Sequence, residues 1–177
     1  CIDKNKSYED DSHRIADIVM FLFAGHDTTA YSLAWTLLEL ARHPDELERL
    51  RKALKGTDDF LAHEILKDVV REGMRLRPVL PGVGVRTTGR DFYLNDKTLV
   101  IPKGSQVLFP TMILTRHEVE DAEEFRPSRW RKHPDKSFLL FSSGRRNCVG
   151  QSLALAEITW ILSRLCAEYD FDVVDEG

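Results

Sequence analysis

A long helical pattern near the start of the sequence constrains the fold more than any other feature. Apolar residues recur every three or four positions over residues 12–43, as they do on one face of an α-helix. The apolar members of this face are Ile15, Ile18, Val19, Leu22, Phe23, Leu33, Leu37 and Leu40. Ser12 is a suitable N-cap, and Pro44 ends the pattern. The most apolar run, residues 15–24, is too short to span a membrane, so we expect a buried core helix.

The rest of the chain predicts a mainly α-helical protein with a small antiparallel β-sheet. Shorter helical patterns cover residues 44–54 and 60–76, and the second stops before Pro78 because a residue that precedes proline avoids the helical conformation. Glycines, prolines and β-branched residues follow, and they predict short strands over residues 83–87, 92–94, 99–101 and 106–109. Residues 118–147 are expected to be mostly loop. The last helix is expected over residues 151–168, where apolar residues on several faces indicate a core helix.

Composition and charge exclude several classes of protein. The net charge is −4, whereas nucleic-acid-binding domains are usually basic, so no nucleic-acid partner is expected. The three cysteines, Cys1, Cys148 and Cys166, cannot form a disulfide framework, and the six histidines lack zinc-ligand spacing. Residues 1–11 are polar, lack the apolar core of a signal peptide and are expected to be disordered or frayed. Because the sequence starts with Cys rather than Met, we expect it to be part of a longer protein.

The segment before the last helix contains a cysteine in an unusual setting. Cys148 comes just before the helix, where backbone N–H groups and the helix dipole favour an anion. Arg145 and Arg146 add positive charge nearby. Both effects favour the thiolate, which is a good soft ligand for iron. The alternative is a buried free cysteine beside a helix cap, which is common for a lone cysteine.

The residues around Cys148 favour iron ligation over the buried free cysteine. Gly144 allows a backbone conformation that side chains oppose, Gly150 leaves space where a flat ligand approaches the helix, and Phe141 is suited to shield the sulfur from water. Residues 141–150 resemble the haem-ligand signature of the cytochrome P-450 family, F-x-x-G-x-R-x-C-x-G. All five fixed positions match, namely Phe141, Gly144, Arg146, Cys148 and Gly150.

The resemblance implies a cytochrome P-450-like fold whose N-terminal half is missing from the sequence, with residues 12–177 forming the C-terminal, haem-binding part. It implies haem b as cofactor and Cys148 as the axial iron ligand, whose thiolate favours O–O bond cleavage. It further implies a monooxygenase that transfers one atom of dioxygen to a small lipophilic substrate. The electrons would come from NAD(P)H through a reductase or a ferredoxin.

A second motif, Glu72-Gly-Met-Arg75, places an acid and a base on one helix face. Taken alone, such a pair is often a surface ion pair that contributes less than about 1 kcal/mol. In the family, a Glu-x-x-Arg pair braces the core beside the haem and is joined by an arginine from a downstream F-x-P-x-R-W stretch. That arginine is Arg129 here, and the resemblance implies a structural role for all three residues. The family often has Glu at the position of Ser128, and this difference leaves the three residues in place.

A third motif, Ala24-Gly25-His-Asp27-Thr28, lies midway along the first helix. Glycine inside a helix costs about 1 kcal/mol, and close approach by a ligand is one reason to keep it. Thr28 can donate to a carbonyl one turn earlier. In the family this segment crosses above the haem, where Ala24 and Gly25 would leave room for dioxygen and Asp27 and Thr28 would relay protons. The alternative is an irregular core helix whose polar residues face solvent.

Further arginines suit anionic partners. The family commonly has a propionate ligand near Arg86, although an exposed strand arginine is an equal alternative; Arg146 is the stronger propionate candidate. A basic stretch would attract an acidic reductase or ferredoxin, unless several of its members are internal. Its members are Arg126, Arg129, Arg131, Lys132, Lys136, Arg145 and Arg146.

Two alternatives to a monooxygenase stay open from the sequence. The same family contains haem-thiolate isomerases and dehydratases, although these typically depart from the acid–threonine pair that Asp27 and Thr28 preserve. The second alternative is a truncated, non-enzymatic product that binds no haem. We expect the fragment alone to be inactive. Membrane association through a segment upstream of Cys1 is compatible with the resemblance, as is the cytosolic face of the endoplasmic reticulum for a eukaryotic source.

Overall fold

The computed structural model describes residues 10–57, 59–82, 84–96, 98–117, 119–132 and 139–174. These residues form six α-helices and four short β-strands, which confirms the predicted mainly α-helical class. The helices are α1 (Asp11–Arg42), α2 (Pro44–Leu54), α3 (Glu64–Leu76), α4 (Thr111–Leu114), α5 (Arg129–Lys132) and α6 (Gln151–Glu168). The strands are β1 (Val85–Thr87), β2 (Phe92–Leu94), β3 (Leu99–Ile101) and β4 (Gln106–Leu108). Single 3₁₀ turns cover Leu139–Phe141 and Gly144–Arg146.

Two predicted helix starts are wrong for local reasons. The N-cap of α1 is Asp10 rather than Ser12, because the Asp10 carboxylate accepts a 3.1 Å hydrogen bond from the backbone N–H of His13. Helix α3 begins at Glu64 rather than at residue 60, because the Asp59 carboxylate accepts from the Ala62 N–H and closes a turn first. The prediction for residues 1–11 falls mostly outside the described residues, since only 10 and 11 are described.

The core lies where the second half of α1 packs against α2, α3 and α6. Helix α2 shows how the sequence builds it: Pro44 occupies the first turn, and Leu47, Leu50 and Leu54 form one buried stripe at helical spacing. Each fully buried aliphatic side chain of this kind contributes about 1.5–3 kcal/mol. The buried apolar residues are Leu40, Leu47, Leu50, Leu54, Leu66, Val69, Val70, Met74, Leu76, Phe125, Ile158, Leu162 and Cys166.

The apolar first half of α1 is not buried, which contradicts the predicted core helix. Phe21, Leu22 and Phe23 are 56%, 69% and 72% exposed. In the part of the chain that the structure describes, no residue of α1 before Ser32 is buried. A helix buries its apolar face only where another element packs on it, and α2, α3 and α6 meet the second half of α1.

Helix α6 departs from its prediction in the same way. It was expected to be buried on nearly all sides, yet Leu153 and Trp160 are 64% and 56% exposed. Its buried side, which includes Ile158 and Leu162, faces the other core helices. Among the described residues, none of the helices combines the length and hydropathy needed to cross a membrane.

The strands form two separate two-stranded antiparallel sheets rather than the single sheet that was predicted. β1 pairs with β4. β2 and β3 pair with each other as a hairpin that lies between β1 and β4 in the sequence. Asn95 and Asp96 adopt left-handed conformations with φ of 48° and 53°, which gives the hairpin its tight turn. Strand β1 begins at Val85 rather than at residue 83, which lies outside the described residues, and β4 ends one residue earlier than predicted.

Candidate functional site

Glu72 is the centre of a buried hydrogen-bond network on α3. Its side chain is fully buried, and it accepts two bonds from Arg75, from Nε to Oε2 and from Nη2 to Oε1, each 3.0 Å long. Such a bidentate pair fixes both side chains in direction as well as distance. The i, i+3 pairing expected from the sequence is therefore present, in the core rather than at the surface.

Three further donors from the segment after α4 complete the shell around Glu72. Arg129 Nε donates to Oε1 at 2.8 Å, as the sequence predicts, and Trp130 Nε1 donates to Oε2 at 3.0 Å. The backbone N–H of Arg126 donates to Oε1 at 2.9 Å. Neither Trp130 nor the Arg126 amide was predicted to bind Glu72; the tryptophan that ends the F-x-P-x-R-W stretch was the available signal.

The two arginines of the network also organise the loop from 119 to 128. Arg75 Nη1 donates to the carbonyl of Ala122 at 2.7 Å, and its Nη2 donates to that of Glu124 at 3.1 Å. Arg129 Nη1 donates to the carbonyl of Glu120 at 2.7 Å. Because five hydrogen bonds occupy the Glu72 carboxylate, its geometry indicates a structural role rather than that of a catalytic acid or base.

The turn that carries Cys148 is closed by backbone hydrogen bonds. The N–H of Cys148 donates to the carbonyl of Phe141 at 2.8 Å, and the N–H of Asn147 donates to that of Gly144 at 3.2 Å. Gly144 has φ of +80°, the left-handed conformation for which the sequence predicted a glycine. The turn ends at Gly150, the N-cap of α6, so Cys148 lies immediately before a helix as expected.

The side chain of Cys148 is exposed. The half-buried Phe141 ring packs against the hydrophobic core. A β-carbon at Gly150 would lie 3.9 Å from the Cys148 sulfur, so the glycine keeps that side of the sulfur clear. Among the described residues, the exposed Arg145 and Arg146 guanidinium groups have no hydrogen-bond or ion-pair partner.

The two described cysteines have opposite environments. Cys166 is 1% exposed, and burial raises the pKa of its thiol from 9.0 to about 12, with a smaller opposing effect from Arg51. It is therefore neutral and packed in the core, as structural cysteines are. Cys148 is the described thiol that a ligand can reach; Cys1 lies outside the described residues. Within the described ranges, no three His, Cys, Asp or Glu side chains cluster as metal ligands would.

The segment from Ala24 to Thr28 lies on the exposed half of α1. Thr28 Oγ1 donates to the carbonyl of Ala24 at 2.7 Å, as the sequence predicted. A β-carbon on Gly25 would meet nothing within 4 Å, so there is open space beside it. The Asp27 carboxylate lies 2.8 Å from Nδ1 of His26, a neighbour that was not predicted to contact it.

Arg86 projects from β1 and is exposed. Its Nη1 reaches only the carbonyl of Val85, at 3.4 Å, and in the described part of the chain no carboxylate pairs with it. A β-carbon at Gly84 would lie 2.9 Å from the same nitrogen, so the glycine makes room for the guanidinium.

The structure divides the basic stretch into two groups. Arg126 pairs with Asp121 and Glu124 at 2.5 and 2.6 Å, and Arg131 pairs with Asp68 at 2.5 Å. Like Arg129, these two arginines therefore form ion pairs with carboxylates of this chain. Lys132, Arg145 and Arg146 are exposed, and Lys136 lies outside the described residues.

These residues fall into four groups. The Glu72 network joins α3 to α5, the Cys148 turn precedes α6, the Ala24–Thr28 segment lies on α1 and Arg86 lies on β1. Helices α1 and α6 pack against each other. No described side-chain hydrogen bond or ion pair joins one group to another.

A family model described as Cytochrome P450 matches residues 2–177, nearly the whole chain. The chain belongs to the cytochrome P450 family. It is 35% identical to human cytochrome P450 3A5, over 96% of this chain and 38% of that protein. It is 34% identical to human cytochrome P450 4F8, over 91% of this chain and 34% of that protein. Cytokinin hydroxylase of Arabidopsis thaliana is 34% identical over 86% of this chain and 32% of its own length.

The chain thus spans about 38% or less of the length of these P450 relatives. Family membership implies haem as the cofactor of the intact protein.

Proposed function

We propose that this P450 is a haem-thiolate monooxygenase that transfers one atom of dioxygen to a small lipophilic substrate. One observation carries the proposal: an exposed thiol, Cys148, stands on a backbone-bonded turn immediately before α6. A soft, accessible donor on a fixed turn suits iron ligation. The family match, which extends over residues 2–177, gives this donor its expected partner.

The described residues fit a haem in their donor chemistry. Cys148 would ligate the iron, and Gly150 would leave the space beside the sulfur free. Arg146 and Arg86 lack carboxylate partners among the described residues, and guanidinium groups suit propionates. Ala24 and Gly25 would border the opposite side, where the open space at Gly25 supports a role in admitting dioxygen. When bound, haem supplies the dioxygen chemistry, and the protein supplies orientation and protons.

Asp27 and Thr28 are proposed to deliver protons. Thr28 Oγ1 carries a proton that it now donates to the Ala24 carbonyl, and the neighbouring Asp27 carboxylate is ionisable and exposed. A carboxylate and a hydroxyl in neighbouring positions can pass protons from solvent towards a bound substrate. This pair also favours the monooxygenase over a haem-thiolate isomerase or dehydratase.

The electron donor is proposed to be an NAD(P)H-dependent reductase or a ferredoxin. Arg145 and Lys132, both exposed, would attract an acidic surface of that donor. Arg145 lies three residues from Cys148, so docking there would bring the donor close to the ligand sulfur.

The reduced, carbon-monoxide-bound absorption spectrum of the full-length protein tests the proposal. Wild type should show the long-wavelength Soret band typical of thiolate-ligated haem, and Cys148→Ala and Cys148→His should abolish it. Cys166→Ala is the matched control, because that thiol is buried in the core, and it should retain the band. An unchanged band in either Cys148 variant would contradict the assignment.

A further inference from the structure

Helices α1 and α3 are in close contact where Thr36 faces Gly73. A β-carbon on Gly73 would lie 2.8 Å from both Cβ and Cγ2 of Thr36, and closer still to its Oγ1. Non-bonded carbon atoms prefer separations of about 3.5–4.0 Å. Gly73 is an ordinary helical residue, so the requirement for glycine is one of space and not of backbone conformation.

Thr36 cannot easily move away from this contact. It is fully buried, and its Oγ1 donates a 2.7 Å hydrogen bond to the carbonyl of Ser32 one turn earlier. Turning the side chain to another rotamer would break that bond and leave a buried hydroxyl without a partner. The spacing between the two helices is therefore set by Thr36 on one side and by the absence of a side chain at Gly73 on the other.

Two interactions next to this contact also join α1 to the end of α3. Arg77 Nε donates to the buried Glu39 carboxylate at 2.7 Å, and the Arg77 guanidinium lies 5.6 Å from the centre of the Trp35 ring. We call this set of contacts the α1–α3 seam. Its members are Trp35, Thr36, Glu39, Gly73 and Arg77.

The α1 residues of the seam lie in the second half of that helix, on the C-terminal side of the Ala24–Thr28 segment. In the described part of the chain, the buried residues of α1 are Ser32, Thr36, Glu39 and Leu40, all in its second half. Thr28 precedes Thr36 by eight positions, which is about 12 Å along an α-helix. The fully buried contacts that fix the position of α1 therefore lie C-terminal to the segment from Ala24 to Thr28.

We propose that the α1–α3 seam positions the Ala24–Thr28 segment over the haem face, with Gly73 and Thr36 as positioning residues. The inference rests on the proposed monooxygenase function. A change in helix spacing at Gly73 tilts α1 and moves Thr28 relative to Cys148, which lies on the turn before α6. Misplacement of a reacting group by about 1 Å can cost about 100-fold in rate, so the seam affects chemistry without touching it.

The test is a glycine exchange between the two helices of the full-length protein. Gly73→Ala should lower severalfold the fraction of NAD(P)H electrons recovered in product, while the reduced, carbon-monoxide-bound thiolate spectrum stays as in wild type. Thr36→Gly combined with Gly73→Ala moves the small residue to the other helix and should restore this fraction towards wild type. Gly73→Ala with Thr36→Val keeps the bulk at position 36 and should not restore it.

Unfolding by denaturant gives a readout that does not depend on turnover. Gly73→Ala should lower the unfolding midpoint even though alanine has the higher helix propensity. The Thr36→Gly, Gly73→Ala double variant should recover it, because glycine at position 36 removes the side-chain atoms that the new β-carbon would meet. If Gly73→Ala does not fold, Thr36→Gly alone opens the seam instead and should also lower the electron yield in product.

The outcomes separate the two proposals. A wild-type protein without the thiolate spectrum would refute the proposed function itself. A protein with that spectrum in which Gly73→Ala and Thr36→Gly both leave the product yield unchanged would overturn the role of the seam. Failure of the double variant to recover the yield lost in Gly73→Ala would overturn it as well.

Discussion

Glu72 and Arg75 form a bidentate ion pair in the core, with two hydrogen bonds of 3.0 Å. Glu72 is fully buried and the Arg75 side chain is 3% exposed. Arg129, Trp130 and the Arg126 amide donate three further hydrogen bonds to the carboxylate. A buried ion pair stabilises a protein little relative to an apolar pair, but removing one partner leaves an uncompensated charge.

We therefore predict that Glu72→Gln severely destabilises the protein. The substitution keeps the shape of the side chain but leaves the Arg75 guanidinium buried without its counter-charge, and Arg129 loses the same partner. A loss of about 3–5 kcal/mol in the free energy of unfolding is expected. Chemical denaturation, followed by circular dichroism, measures it.

The same helix provides a matched control. Lys67 Nζ lies 2.9 Å from the Glu64 carboxylate at the same i, i+3 spacing, but both side chains are well exposed. Glu64→Gln should change the unfolding midpoint little, because exposed ion pairs contribute little. Equal effects of the two substitutions would show that burial of the Glu72 network is not what stabilises this region.

This comparison shows what the sequence could predict and what it could not. Spacing alone predicts the contact between Glu72 and Arg75, yet the exposed Glu64 and Lys67 pair has the same spacing. Burial depends on which distant segment packs against the helix. The Trp130 donor comes from 58 positions later in the chain, so only the fold brings it to Glu72.

The exposed half of α1 shows a similar limit. Periodicity predicted the helix to within one residue at each end, because propensity, caps and proline act locally. Periodicity also marked residues 15–24 as apolar. An apolar face can pack against another element, but periodicity does not show whether the described chain places an element there. Phe23 is 72% exposed for this reason.

We predict that Cys148 and Cys166 react differently with thiol reagents. Iodoacetamide requires the thiolate, and burial raises the pKa of Cys166 to about 12. At pH 8, the exposed Cys148 should be alkylated in the haem-free protein while Cys166 stays unmodified until the protein unfolds. Peptide mass spectrometry reports the two sites separately. Rapid alkylation of Cys166 in the folded protein would contradict its burial.

The same pKa shift predicts a dependence of stability on alkaline pH. The folded protein holds the Cys166 proton more tightly than the unfolded chain, so the stabilisation is complete below about pH 9 and is lost as pH rises towards 12. The difference in unfolding free energy between wild type and Cys166→Ala should therefore shrink over this range. A difference that stays constant from pH 8 to 11 would mean that the thiol titrates normally.

We predict that Thr28→Ala and Asp27→Asn impair proton delivery in the full-length protein. Both variants should bind haem with the wild-type thiolate spectrum, yet they should divert NAD(P)H electrons from product to peroxide, with a loss of up to about 100-fold in product formation. Thr29→Ala removes a neighbouring hydroxyl and serves as the control. Equal electron yields in all three variants would remove Asp27 and Thr28 from the proton path.

Reversal of the charge at Arg145 should slow electron transfer from an acidic donor protein. Arg145 is exposed and has no ion-pair partner among the described residues, so its charge is available to a docking surface. Arg145→Glu should lower the bimolecular rate of haem reduction about tenfold at low ionic strength and weaken its dependence on salt.

Arg126→Gln is the control, since Asp121 and Glu124 already neutralise that arginine, and its reduction rate should stay close to that of wild type. Stopped-flow reduction at salt concentrations from about 20 to about 500 mM measures both effects. The Debye screening length falls below about 10 Å within this range. A wild-type rate that does not change with salt would rule out electrostatic docking at this surface, because attraction between exposed charges is screened by ions.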